Sequence, residues 1–135
     1  MKKIILLLLI VSKSLFAQND TRYISKYYQF NKGSKEKLFA DDVKFRESPN
    51  LESNVIELLK IGTEIEIIEL SNDTLNFDGI KSNWYKVKAN ERTGYILGAL
   101  IAFDELKTTK SKTQLYFQIK NDDNENTILK VRKTG

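Results

Sequence analysis

Short β-branched and aromatic runs, each ended by a turn residue, fill the segment from Val43 to Leu100. In residues 43–46 and again in residues 64–67, apolar side chains alternate with charged ones. A period of two places the apolar side chains on one face of a strand and the charged ones on the other. Val55–Ile61 is also read as a strand, because Gly62 follows it at once. The chain is therefore expected to form an all-β domain of about five short strands.

Turn residues and one change of register mark where the strands end or bend. Pro49, the single proline of the chain, lies in a polar Glu-Ser-Pro-Asn turn and cannot donate a hydrogen bond to a sheet. The alternation of residues 64–67 reverses at 68–70, which predicts a bulge or a strong bend. Gly94, inside the strand 93–96, indicates either a close approach of another part of the backbone or a bulge. A small barrel needs such bends in order to close.

The N-terminus has the layout of a secretory signal peptide, which we assign to residues 1–17. Lys2 and Lys3 precede the apolar run Ile4–Val11, and Ser12, Lys13 and Ser14 lead to Leu15-Phe16-Ala17, where Leu15 is larger than the usual residue before a cut after Ala17. The apolar run is well short of the ~20 residues that cross a bilayer, so no stable membrane span is expected after cleavage. The alternative is an N-terminal anchor that stays in place. We therefore expect an exported protein, either periplasmic or extracellular.

The basic charge of the chain comes mainly from this signal segment. The whole chain carries 22 Lys and Arg against 18 Asp and Glu, and Lys2, Lys3 and Lys13 fall within residues 1–17. The mature chain keeps 19 basic and 18 acidic residues, with no clustered basic run. Recognition of nucleic acid depends on a basic face. A nucleic-acid partner is therefore not expected.

The chain has no Cys and no His. Disulfides are therefore excluded, and so are the nucleophile–base pairs of acyl transfer that use these residues. A zinc site would need carboxylates alone, which is unusual. Glu64 and Glu66 are candidates for a hydrolytic pair, but they lie on the wet face of one strand, where charge usually serves solubility. We expect a non-enzymatic protein without a cofactor or a metal ion, stabilised by packing alone.

Five short motifs follow one another between Leu38 and Ala102. They are Phe45-Arg46, Pro49, Val55-Ile56 with Leu59 and Gly62, Trp84-Tyr85-Lys86-Val87, and Gly94-Tyr95-Ile96. In this order they resemble the bacterial SH3-like domain family. Lys44 and Ser48 depart from the Asn and Gly that are common in the family, and the connection before Trp84 is longer than usual. The resemblance implies a small SH3-like β-barrel and a binding role.

Members of this family bind peptidoglycan peptides or other cell-envelope partners, and some only pack against neighbouring domains. Aromatic rings suit such ligands because they combine a flat apolar face with a polar tip. The candidate ligand-binding residues are Asn83, Trp84, Tyr85 and Tyr95. The alternative assigns Trp84 and Tyr95 to the barrel core. Two functional hypotheses follow: a cell-envelope module that recognises peptidoglycan peptides through an aromatic groove, and a protein–protein adaptor without a cell-wall ligand.

Four segments divide the chain. They are the signal peptide (residues 1–17), a leader or linker (18–36), the SH3-like domain (37–102), and a linker plus β-hairpin (103–135). In the leader, Tyr23, Ile24, Tyr27 and Tyr28 recur at the spacing of one helix face. These side chains either lie on the barrel or form an aromatic binding strip.

The C-terminal hairpin is predicted from two strand-like runs, Gln114–Lys120 and Thr127–Arg132. An isolated two-stranded hairpin is marginal in water, so the pair either adds to the barrel or begins a second domain. The loop Asn121–Asn126 between them carries Asp, Asn and Glu oxygens, which suit calcium. It lacks the glycine and the spaced glutamate of a calcium loop, so a solvated turn is the preferred interpretation.

Overall fold

The computed structural model of the protein describes residues 29–109, 112–121 and 127–135. Regular structure in these residues is almost entirely β-strand. The first sheet contains β1 (Lys35–Lys37), β2 (Val43–Arg46), β3 (Val55–Leu59), β4 (Glu64–Phe77), β5 (Ile80–Ala89) and β6 (Arg92–Leu97), and one 3₁₀ turn, Gly98–Leu100, follows it. Within these ranges, no helix has the length and hydrophobicity that crossing a membrane requires.

The six strands pair antiparallel in the order β1-β4-β5-β6-β2-β3. The sheet curls, and Leu38 links the end of β1 to the turn that follows β3. Its amide donates to the carbonyl of Thr63 at 3.1 Å, and its carbonyl accepts from the amide of Gly62 at 2.8 Å. Leu38 also forms a bridge with Ile101. The predicted all-β, SH3-like architecture is confirmed.

The alternating apolar residues of the curled sheet meet in one hydrophobic core. This core includes Leu38, Val43, Phe45, Leu59, Ile65, Ile67, Tyr85, Val87, Ile96 and Ile101. The charged residues that alternate with them, such as Lys44, Glu64 and Glu66, are exposed. A slip of one residue would turn a whole strand's apolar side chains to solvent, so this core holds the strands in register.

The hairpin of β4 and β5 is long, and we call its outer part, residues 71–83, the arm. Its two-residue turn consists of Asp78 and Gly79, with φ angles of 51° and 75°. A two-residue hairpin turn of type I′ needs this left-handed backbone at both positions. The register of the β4–β5 pair shifts between Ile67 and Glu69, which confirms the predicted bulge. Much of the long connection before Trp84 is thus paired strand.

The close backbone approach predicted at Gly94 is confirmed. A Cβ atom at this position would lie 2.6 Å from the carbonyl oxygen of Arg46 and 2.6 Å from Cε2 of Phe45. Strand β6 pairs with β2 through Tyr95 and Arg46. The two strands therefore approach each other at a point where only glycine leaves enough room.

The C-terminal residues form a second sheet of three antiparallel strands in the order β7-β8-β9. They are β7 (Asp104–Lys107), β8 (Gln114–Asn121) and β9 (Thr127–Thr134). The two predicted strands are present, whereas β7 was missed because its short sequence, Asp-Glu-Leu-Lys, has little strand character. Tyr116 of β8 is buried with Phe39 and Ala102, so the second sheet packs against the barrel.

Three expectations concern residues outside the described ranges. The signal peptide and the leader residues 23–28 precede residue 29, and residues 122–126 of the acidic loop fall between two described ranges. In the described part of the leader, Phe30 contacts the barrel. Its amide donates to the hydroxyl of Tyr85 at 3.3 Å, and the two rings meet edge to face at 5.5 Å.

Candidate functional site

Strand β5 is buried on both faces near its middle. Tyr85 points into the barrel core and is 3% exposed, whereas Trp84 points to the opposite face and is 4% exposed. There Trp84 packs with Leu97, its cross-strand partner on β6, and with Ala99. A second apolar cluster therefore covers part of the outer face of the barrel.

The structure places the four candidate residues in different environments. The ring of Tyr85 belongs to the core. Asn83 donates from Nδ2 to the carbonyl of Ser71 at 2.9 Å and so ties the two strands of the arm together. Tyr95 is half-buried and packs at the edge of the Trp84 cluster. Of the four, Trp84 alone lines a cleft that lies over this cluster.

A cleft with a volume of about 410 Å³ lies over this outer apolar cluster. Its floor consists of Trp84, Leu97, Ala99 and Leu100. Segments distant in the chain form its walls, namely residues 39–44 with Arg46 and Leu51, the arm, and the inner face of the second sheet. Ligand sites in proteins are typically concave, of this size, and lined mainly by apolar side chains with a few polar groups.

The arm supplies an apolar wall of the cleft. Leu75, Phe77 and Ile80 line it, and the ring of Phe77 is 46% exposed. Asp78 at the tip of the arm forms an ion pair with Lys130 of β9, and both residues also line the cleft. This contact holds the arm against the second sheet, so the two walls meet there.

The second sheet supplies polar groups to the cleft. Gln118 of β8 lies opposite Lys130 of β9, so the two side chains share one face of the sheet. Gln118 is buried and donates from Nε2 to the carbonyl of Ile101 at 3.2 Å. The guanidinium carbon of Arg132 lies 5.1 Å from the centre of the Phe39 ring, within cation–π distance.

Cationic side chains outnumber anionic ones around the cleft. The cations are Lys44, Arg46, Lys130 and Arg132, and the anions are Asp41, Asp42 and Asp78. Asp78 is paired with Lys130, and Asp41 accepts a hydrogen bond from the amide of Ile61 at 3.0 Å. The cleft therefore combines an apolar floor with an excess of positive charge at its walls.

The carboxylates singled out in the sequence lie elsewhere. Glu64 bonds to the ammonium of Lys37 at 2.9 Å, and this hydrogen bond and charge, with a smaller contribution from Lys35, lower the pKa of Glu64. Over the described ranges, no group of three or more acidic side chains is placed to hold a metal ion. What the cleft offers a ligand is apolar contact, hydrogen bonding and charge.

Comparison with known families agrees with the barrel geometry. Residues 41–102 match the family model of the bacterial SH3 domain. This segment is a bacterial SH3 domain. The match ends at Ala102, where the barrel ends, and the second sheet lies beyond it. The chain has no significant match among curated proteins or solved structures. The bacterial SH3 domain thus supplies the floor of the cleft, the arm and the wall of residues 41–44 with Arg46 and Leu51.

Sequence reasoning missed most of the residues that line the cleft. The available signal was the alternation of Leu75, Phe77 and Ile80 within an otherwise polar segment. Arg46 was noted only as part of the Phe45-Arg46 motif, and Arg132 gave no signal, because a cation on a strand is usually read as solvent-exposed. No local pattern shows that the second sheet packs over the outer face of the barrel. The cleft exists because residues of this sheet form one of its walls.

Proposed function

We propose that this bacterial SH3 domain protein is an exported, non-enzymatic binding module of the cell envelope and that it holds a peptide in the cleft. A bacterial SH3 domain indicates a binding module, and the domain is often cell-wall related. The observation that carries the proposal is the cleft of about 410 Å³ over Trp84 and Leu97. Its apolar floor and charged walls suit a short peptide better than a purely apolar ligand.

Peptidoglycan peptides are the ligand class that we favour. They combine small apolar side chains with carboxylate and amide groups. The floor around Ala99 offers apolar contact, and Lys44 and Arg132 offer charge at the walls. The proposed export, to the periplasm or beyond, rests on the signal-like residues 1–17. The absence of Cys and His supports a non-enzymatic role.

Co-sedimentation of the purified protein with insoluble peptidoglycan tests the proposal. Two leucines form a matched pair of positions: Leu51 lines the cleft and is 56% exposed, whereas Leu58 is 54% exposed on β3 and does not line it. Each is replaced by Gln. Since both side chains are largely in solvent, neither replacement is expected to unfold the protein.

The expected result is that the wild type and Leu58→Gln sediment with peptidoglycan, while Leu51→Gln stays mostly in the supernatant. Equal loss in both variants would point to non-specific adhesion. If the wild-type protein itself remains soluble beside excess peptidoglycan, the proposed ligand class is wrong.

A role as a protein–protein adaptor is the second candidate, and the outer face of the second sheet supports it. On this face Phe117 lies opposite Val131 and Ile119 opposite Leu129. Val131 is 50% exposed and Leu129 is 56% exposed. Contiguous apolar side chains of this kind often mark contact sites. Cross-linking in intact cells through a photoreactive residue in place of Leu129 should then yield one defined adduct, which the peptidoglycan proposal does not require.

A further inference from the structure

Arg46 is a charged residue that the fold buries at the wall of the cleft. Its exposed fraction is 7%, although arginine is seldom so buried unless its charge is paired. It ends strand β2, where its backbone pairs with Tyr95 on one side and Val55 on the other. Its neighbour Phe45 points into the core, so the guanidinium of Arg46 belongs to the outer face.

The protein meets only part of the hydrogen-bonding capacity of this guanidinium. Nη1 of Arg46 donates to the carbonyl of Ser53 at 2.7 Å. A guanidinium has about five N–H donors. Among the residues that the structure describes, no carboxylate forms an ion pair with Arg46. The backbone carbonyl of Ser53 is the one described hydrogen-bond partner of the Arg46 side chain. A nearly buried cation is therefore left to be neutralised from the cleft side.

The surroundings of Arg46 define what would neutralise it. Lys44, two residues earlier on β2, projects from the same face and also lines the cleft. The apolar floor of Trp84 and Leu97 lies in the same cavity. A group that occupies this part of the cleft meets positive charge at the wall and the apolar side chains of the floor beneath it.

We infer that Arg46 recognises a carboxylate of the bound peptide, and that the apolar side chain next to this carboxylate packs on Trp84 and Leu97. The inference rests on the proposed peptide-binding function and specifies which peptides the cleft selects. A carboxylate fits the geometry because the planar guanidinium presents parallel N–H groups to its two oxygens. Its negative charge also supplies the counter-ion that the described residues do not.

The carboxylate has two sources in a peptide, namely the chain terminus and an acidic side chain. Three pools of N-acetylated tetrapeptides built from Gly, Ala and Leu distinguish them. The first pool ends in a free carboxylate, the second ends in a carboxamide, and the third ends in a carboxamide but carries one internal Glu. Binding to the purified protein is followed by NMR, through the single indole N–H signal of Trp84.

The matched variants are Arg46→Gln and Arg92→Gln. Arg92 is an exposed arginine at the start of β6 and does not line the cleft. Arg46→Lys keeps the positive charge but lacks the planar guanidinium. A thermal unfolding curve of each variant shows whether it is folded. The free-acid pool should bind the wild type and Arg92→Gln alike, and should bind Arg46→Gln about tenfold more weakly. Arg46→Lys should give an intermediate affinity.

Each outcome decides the question. If the free-acid pool and the carboxamide pool without Glu bind with equal affinity, the inference is wrong. Peptide binding in the cleft would still stand. Unchanged affinity in a folded Arg46→Gln protein overturns the role of Arg46. Stronger binding of the Glu-containing carboxamide than of the free acid supports the inference and assigns the carboxylate to a side chain, and equal binding of these two pools supports it with either carboxylate accepted. If no pool binds and peptidoglycan does not sediment the protein, the proposed function fails together with the inference.

Discussion

Trp84 and Tyr85 are neighbours in the chain, yet they lie in two different apolar clusters on opposite faces of β5. Successive side chains of a strand point in opposite directions, so such a pair normally has one buried and one exposed member. Here both are more than nine-tenths buried. The reason is that the arm and the 3₁₀ turn cover the outer face of β5, while the second sheet forms the far wall above them. This double covering creates the cleft.

The burial of Trp84 predicts the fluorescence of the protein, because the chain contains one tryptophan. Native emission should be blue-shifted from that of the urea-unfolded chain, and acrylamide should quench it much less. A peptide that enters the cleft should shift the emission further, since Trp84 forms part of the floor. Native emission and quenching equal to those of the unfolded protein would contradict the buried position.

Replacement of Gly94 tests the close approach of β6 and β2. Gly94→Ala should destabilise the protein by about 1–3 kcal/mol, because the new methyl group meets the backbone of Arg46. Gly33→Ala is the control: its φ is +81° but no atom lies within 4 Å of the added Cβ. This variant should cost about 1 kcal/mol from backbone strain alone. Urea unfolding measures the loss of stability in both variants. A smaller loss for Gly94→Ala than for Gly33→Ala would contradict the close packing of β6 against β2.

Tyr116 is expected to hold the second sheet on the barrel. Tyr116→Ala should cost about 3–5 kcal/mol of local stability, because the buried ring leaves a cavity beside Phe39 and Ala102. Hydrogen exchange should show faster exchange in β8 and β9, with protection retained in β5. Tyr116→Phe removes the hydroxyl that donates to Oε1 of Gln114 at 2.5 Å and should cost only about 1 kcal/mol. Uniform loss of protection across both sheets would mean that they unfold as one unit.

The Lys37–Glu64 contact makes a prediction about pH. Lys37 lowers the pKa of Glu64 below its ordinary value of 4.5, so the contact stabilises the fold above that value. The stabilisation is lost as the pH falls through the lowered pKa. Lys37→Gln should raise the pKa of Glu64 in a carboxyl-detected NMR titration. Lys35→Gln should raise it less, because Lys35 lies farther away at 3.5 Å and contributes less. An equal rise in both variants would contradict this ranking.

Local patterns in the sequence predicted most of the barrel correctly. The alternation in Val43–Arg46 and in Glu64–Ile67, the reversal after Ile67, and Gly94 each gave a feature that the structure contains. These features depend on residues that are adjacent in the chain. Of the candidate binding residues, only Trp84 lines the cleft. The alternation shows which side chains share a face of the sheet, but it does not show which other segment covers that face.

The sequence by itself determined the strands, their bends and the bacterial SH3 domain, since strand period and turn chemistry act over a few residues. The tertiary structure alone decided that Trp84 forms the floor of a cleft and that Arg46 is buried at its wall. Both facts depend on contacts between segments far apart in the chain, such as the arm with β9. Burial is a property of the assembled fold, and no run of neighbouring residues encodes it.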